Sequence, residues 1–181
     1  MSLIIKNDNL LKDIKVIKNE KFFDERGFFS KIFHKEIKKN LKINIDEIFY
    51  SVNKKGVIRG IHYQKKDKQL GKIVGCLDGE ILDFFIDLRK DSETYGKFSS
   101  EIINSKNNIS IFVPEGFGHG FSVLSKSATV IYLQSGDYDP KHEGGINPLS
   151  IDFDWNVDDP ILSERDSNHP RFNLNNQEFK L

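Results

Sequence analysis

A histidine, a lysine and a tyrosine on three separate apolar segments define a specific chemistry. His62 lies in RGIHYQ (59–64), Lys72 in QLGKIV (69–74) and Tyr132 in YLQSGDY (132–138). A neutral imidazole accepts a proton near neutral pH. A lysine ammonium in a partly buried pocket stabilises an oxyanion as it develops. A phenol donates a proton to a carbanion. Together, base, cation and acid suit removal of a proton beside a carbonyl and its return from another direction. Each also has a plainer reading. A lone strand histidine is more often structural, a lysine at the start of a strand is usually solvated, and a tyrosine in an apolar strand is normally core.

The protonated imidazole needs an orienting carboxylate. Asp166 in LSERD and Asp83 in LDFFID are both available. There is no P-loop, no G-x-S-x-G elbow and no Rossmann fingerprint in its strand–helix context. A phosphorylated substrate would therefore be gripped by arginines, such as Arg26 and Arg59. His119, in the glycine-rich PEGFGHGF, invites a metal reading together with His62. Jelly-roll barrels that bind metals usually place two histidines one residue apart, with a carboxylate shortly after. His62-Tyr63-Gln64 offers one histidine, so no metal is expected. Cys76 reads as a small buried hydrophobe.

The elements that must hold these residues are strands. Segments 57–63, 72–77, 80–88, 98–103, 109–113, 119–124 and 128–134 are short, apolar or alternating, and separated by Gly, Pro, Asn and Asp clusters. Asp78-Gly79 between two apolar runs predicts a β-hairpin. Alternation puts Val57, Arg59, Ile61 and Tyr63 on one face and Ile58, Gly60, His62 and Gln64 on the other. His62 with Gln64, Lys72 with Val74 and Cys76, and Tyr132 with Gln134 are expected to face one lumen. Helical signal is confined to residues 34–43 and a short turn after Pro160. The fold class is therefore all-β, a jelly-roll barrel with short flanking helices, able to hold one ligand in its mouth.

The whole chain sets further bounds. Its 181 residues fit one domain, 1–181, with a substantial core. Lys+Arg and Asp+Glu are 27 each, so no basic excess points to nucleic acid or a membrane surface. The run KKDK (65–68) reads as a solvated loop. One cysteine excludes an intrachain disulfide framework. The amino-terminal MSLIIKNDNLLKD lacks the long apolar region of a signal peptide, and no segment approaches a membrane span. A soluble, cytoplasmic protein is expected.

Several long motifs, in order, carry a resemblance covering about residues 22–170: FFDERGFF (22–29), GVIRGIHYQ (56–64), QLGKIV (69–74), GEILDFFIDLRKDSETYGKF (79–98), IFVPEGFGHGF (111–121), YLQSGDY (132–138) and ILSERD (161–166). The chain resembles the dTDP-4-dehydrorhamnose 3,5-epimerase family of cupins. The resemblance implies a cupin jelly roll, a homodimer formed by strand exchange, and neither metal nor organic cofactor. It makes His62 the base, Asp166 its carboxylate partner, Lys72 the enolate-stabilising cation and Tyr132 the acid. It places Tyr138, His119, Asp83 and Gln64 in the sugar pocket and Arg59 on the pyrophosphate. Arg26 and Phe22, in FFDERGFF, would complete the pocket of a second subunit.

Two departures bear on the nucleotide. Lys31 stands where the family usually has a glutamate, and Glu47-Ile48-Phe49 where it usually has Gln-x-Asn. Both point away from thymine and make a GDP-linked 4-keto heptose an alternative to a dTDP-linked 4-keto-6-deoxyhexose. The expected reaction inverts C3, C5 or both in a nucleoside-diphosphate 4-keto sugar, for surface polysaccharide biosynthesis. The alternatives are a 3,4-ketoisomerase on the same scaffold and a non-catalytic sugar-binding cupin.

Overall fold

A computed structural model describes residues 3–175, 179 and 181. The chain runs β1 (Ile4–Asn7), β2 (Lys15–Lys18), β3 (Lys21–Asp24), β4 (Gly27–Ser30), α1 (Lys35–Leu41) and β5 (Glu47–Lys54). It continues through β6 (Ile58–Gln64), β7 (Lys72–Asp78), β8 (Glu80–Asp87), β9 (Phe98–Asn104) and β10 (Ile109–Val113). The last elements are β11 (Phe117–Val123), β12 (Ser127–Gln134), β13 (Glu143–Gly145) and α2 (Glu164–Asn168). Two antiparallel sheets form a cupin-type jelly roll, one ordered β1-β2-β10-β7-β12-β5 and the other β13-β6-β11-β8-β9. β3 and β4 form a separate hairpin.

Inward side chains of both sheets meet in one apolar cluster that includes Val74, Cys76, Phe85, Phe121 and Val130. Two further clusters cover the outer faces. Ile37 of α1 closes over Ile17, Ile73 and Leu133, while Trp155 and Phe179 pack with Ile61, Phe84 and Ile86. Facing sheets each lose water from their apolar side, which is the main force holding the barrel shut.

The expected strands are present, with ends shifted by one or two residues, and α1 is capped by His34. The exposed loop Lys65–Lys68 is solvated as expected. The hairpin at Asp78-Gly79 is not. β7 pairs with β10 and β12, β8 with β9 and β11, so the turn carries the chain from one sheet to the other. Gly79 has φ +79°, and a Cβ there would come within 2.1 Å of the Ser127 carbonyl. The glycine therefore serves a corner packed against β12, a role with the same local signature as a hairpin turn.

Strict alternation in β6 also fails, with a consequence for the site. The register against β11 passes from His119↔His62 to Phe121↔Arg59, so three steps on β6 match two on β11. Such a bulge re-aims side chains. Arg59 and His62 both border one cavity as a result, although alternation put them on opposite faces. The two backbones close up here: a Cβ on Gly60 would lie 2.6 Å from Gly120 Cα. That contact accounts for Gly60 of RGIHY and Gly120 of GHGF.

Candidate active site

Between the sheets lies a cavity of about 280 Å³ bordered by Arg59, His62, Tyr63, Gln64, Lys72, His119, Tyr132 and Tyr138. Phe49, Ser51, Leu70, Gln134, Glu143 and Arg165 complete much of its wall. His62 and His119 come from the five-stranded sheet; Lys72 and Tyr132 come from the six-stranded sheet facing it.

His62 Nε2 lies 2.7 Å from Asp166 Oδ1. Asp166 is positioned from α2, where its own N–H donates to the Ser163 cap at 3.1 Å. The Gly60 N–H donates to Asp166 Oδ2 at 3.2 Å. Burial alone would raise the pKa of this carboxyl. The His62 hydrogen bond and charge, with Gly60 and Arg165, outweigh it and hold the group at about 2. A permanent carboxylate on Nε2 fixes the imidazole's orientation and stabilises its protonated form. The second ring nitrogen, Nδ1, has no hydrogen-bond partner among the described residues, and the side chain is 27% exposed.

His119 has its own carboxylate. Its Nε2 lies 2.8 Å from Oδ1 of the fully buried Asp83. The choice between Asp83 and Asp166 as partner of His62 is thus resolved by three-dimensional pairing. Asp83 Oδ2 has no hydrogen-bond partner among the described residues. Its charge partly offsets the desolvation that depresses Lys72, whose pKa falls to about 8. Desolvation also raises the Tyr132 phenol above its ordinary range. A Ser51 hydrogen bond and Arg59 act against that rise, and Asp83 adds to it. Tyr132 is kept in place by Phe49, its cross-strand partner, stacked at 4.9 Å. The cavity therefore holds a base with a free nitrogen, an ammonium and a protonated phenol.

Arg59 is aimed by Asn53, whose Oδ1 accepts from Nε at 2.6 Å. Gln64 borders the cavity with both ends of its amide engaged. It donates to the Lys68 carbonyl at 2.6 Å and accepts from the Asp139 N–H at 2.7 Å. Tyr138 is half exposed at the mouth and donates to Glu143 Oε2 at 2.9 Å. Glu143 Oε1 accepts from Arg165 Nη1 at 2.8 Å, and Arg165 Nη2 lies 3.1 Å from His62 Nε2. Arg26 and Phe22 lie on the β3–β4 hairpin and do not border the cavity; Arg26 pairs with Asp24.

Glu143, Arg165 and Ser51 were not anticipated as site residues, whereas Phe49 was expected near the substrate as part of the Glu47-Ile48-Phe49 departure. Arg165 had a signal, since it adjoins Asp166. Phe49 and Ser51 had the inward phase of EIFYSVNK. Glu143 had none, standing on a three-residue strand paired to β6 only by the fold.

A cupin barrel whose facing sheets present a carboxylate-backed histidine, a lysine and a tyrosine to one cavity has the equipment of an enzyme working through proton transfer at carbon. A sequence model of the dTDP-4-dehydrorhamnose 3,5-epimerase family matches residues 8–173. The chain belongs to that family and is an epimerase, of the isomerase class. It is 36% identical to the dTDP-4-dehydrorhamnose 3,5-epimerase of Shigella flexneri, over 90% of this chain and 92% of that one. It is 38% identical to the Methanothermobacter thermautotrophicus enzyme of the same description, over 84% and 86%. Among solved structures, the Legionella pneumophila epimerase in complex with dTDP-4-keto-L-rhamnose superposes with a TM-score of 0.92 at 32% identity, covering 99% and 97%.

Proposed function

We propose that the protein inverts C3, C5 or both in a nucleoside-diphosphate 4-keto sugar, feeding surface polysaccharide biosynthesis. The observation that carries this reading is the placement of His62 and Tyr132 on opposite sheets across one cavity. A 4-keto group acidifies the hydrogens at C3 and C5. His62, oriented by Asp166, takes one of them. Lys72 holds the enolate oxygen as charge develops there. Tyr132 returns a proton from the facing wall, so the centre inverts. The substrate's own ketone is the electron sink, and the reading uses neither metal nor organic cofactor. Arg59 binds the pyrophosphate, His119 with Asp83 completes the sugar's surroundings, and Tyr138 and Gln64 flank it.

The names of the relatives favour a dTDP-linked 4-keto-6-deoxyhexose. Lys31 and Phe49 favour a different base: Lys31 brings a cation, and Phe49 is committed to stacking on Tyr132 rather than to hydrogen bonding. Either sugar nucleotide undergoes the same proton transfers. Binding of dTDP, GDP, UDP and CDP should be compared first. NMR in heavy water should then follow the matching 4-keto sugar. Deuterium entering C3 or C5 with inversion and a retained 4-keto group is expected. Migration of the carbonyl would indicate ketoisomerase chemistry, and no exchange with any 4-keto sugar would indicate a binder.

The reading includes a homodimer of single cupin domains (1–181) with shared sites, in the cytoplasm. β5 is a sheet edge, and its outward Ile48, Tyr50 and Val52 are 64%, 68% and 65% exposed. Phe22, Phe23, Phe28 and Phe29 are exposed on the hairpin. Apolar surface on an open edge invites strand pairing with a second copy. Arg26 and Phe22 would then reach the neighbour's cavity. Among the described residues no helix is long and apolar enough to cross a membrane. No overall basic excess supports nucleic acid as partner, since the formal net charge is zero.

A further inference from the structure

The His62–Asp166 pair has a third neighbour that proton transfer does not use. His169 follows Asp166 by three residues at the end of α2, a spacing that brings both side chains to one side of the turn. Its Nε2 stands 3.9 Å from Asp166 Oδ1, and its ring centroid is 5.9 Å from that of His62. This nitrogen is enclosed and has no hydrogen-bond partner among the described residues. A buried ring nitrogen is costly to leave unpaired. The ring lies against Gly145, where a Cβ would come within 2.2 Å of Nε2, so β13 accommodates it only as glycine.

We propose that His62, Asp166 and His169 form a binding site for a divalent transition-metal ion of the zinc type, and that occupancy switches the epimerase off. The three ligand atoms lie within 4.8 Å of one another. The 2.7 Å and 3.9 Å separations already given leave the three donors close enough that modest side-chain rotation, with the His62–Asp166 contact opening, would set all three at zinc's ligand distances of about 2.0–2.2 Å. Two imidazoles and a carboxylate are a zinc-type donor set, leaving a fourth position for water. Arg165 is the competitor, with Nη2 3.1 Å from His62 Nε2. Its side chain is half exposed and already held by Glu143, so it yields to a doubly charged ion by withdrawing toward that carboxylate.

Inhibition rests on His62 being the base. A metal on Nε2 forces the ring proton onto Nδ1, and no lone pair remains to take a proton from the sugar. Binding itself does not depend on that reading, so two readouts separate them. Chelator-treated protein is titrated with Co²⁺, following visible absorption, and Zn²⁺ is used to displace it. Epimerase activity is then measured against Zn²⁺. One ion per chain is expected, with inhibition reversed by chelator. His169→Gln should weaken binding at least about tenfold. His169→Cys should keep the site and add a sulfur-to-cobalt charge-transfer band, a signature that loss of folding could not produce. No single-ion site in the wild type, or equal affinity in His169→Gln, overturns the proposal. Binding without inhibition overturns the switch and, with it, His62 as base, while leaving the site.

Discussion

His62 and His119 face each other directly across β6 and β11, and each is bound to a separate aspartate. The difference between them is access. The His62 side chain is 27% exposed, whereas that of His119 is 5% exposed. A base must reach substrate and return its proton to solvent, and this difference in access is what supports the proposed role of His62 as the base. The closed pair supplies fixed polarity behind Lys72 and Tyr132.

Substitution of the base and of the acid should give different outcomes. Without His62 no hydrogen leaves, so His62→Asn should abolish both deuterium exchange and inversion. General-base contributions of about 10²- to 10⁴-fold set the scale of the loss. In Tyr132→Phe a hydrogen still leaves and returns on the same face, so exchange at the first centre should persist while inversion falls much further. A Tyr132→Phe enzyme that epimerises at the wild-type rate would remove tyrosine from the acid role.

Asp166→Asn keeps the shape beside His62 and removes the charge. Its turnover should drop by about 10²- to 10⁴-fold with little change in KM. The carboxyl is depressed to about 2, below its unfolded value of about 3.9. Its stabilisation is therefore present above pH about 4 and lost as pH falls toward 2. Denaturant titrations should show that acid-side loss in the wild type and not in Asp166→Asn. Equal acid sensitivity of the two proteins would contradict the linkage.

The Lys72 ammonium should set an alkaline limb. Its pKa of about 8 means that the charge on the enolate site disappears as pH rises through 8, so kcat/KM should fall there. Stability moves the other way. The unfolded lysine still binds its proton between pH 8 and 10.4, so that window should show stability rising with pH. Lys72→Met should lose most activity and flatten both trends. An activity profile unchanged to pH 10 would show that Lys72 is not the charge that matters.

Dimerisation should depend on the β5 edge. Light scattering at micromolar concentration should give a dimer, and Tyr50→Asp with Val52→Asp should give a monomer of lower activity. A fully active wild-type monomer would exclude shared sites.

Chelators should not lower activity. In the proposed reaction the substrate's own ketone is the electron sink and no step uses an ion, so EDTA should remove only the inhibitory occupancy of the His169 site. Activity lost in EDTA and restored by one metal would reverse that view of the pocket.

Residue type and local period carried a great deal. The short apolar runs EILDFFID and TVIYLQ, the turn residues that bound them, and the base, cation and phenol chemistry are all local properties, because a strand's composition and side-chain phase are written within a few residues. Motif order was enough to assign Asp166 to His62 by family resemblance, although 104 residues separate them. What local pattern could not contain is how the segments meet. Two aspartates competed for two histidines until β8 and α2 came to opposite sides of β6 and β11. The bulge that turns Arg59 toward the same cavity as His62 exists only in the pairing of β6 with β11. Asp-Gly at 78–79 looks the same in sequence whether it closes a hairpin or crosses between sheets; the neighbours of β7 and β8 decide. Glu143, Arg165 and His169 enter the site because β13 and α2 pack against one strand, and such long-range contacts are set by burial of the whole barrel rather than by any single segment's preference.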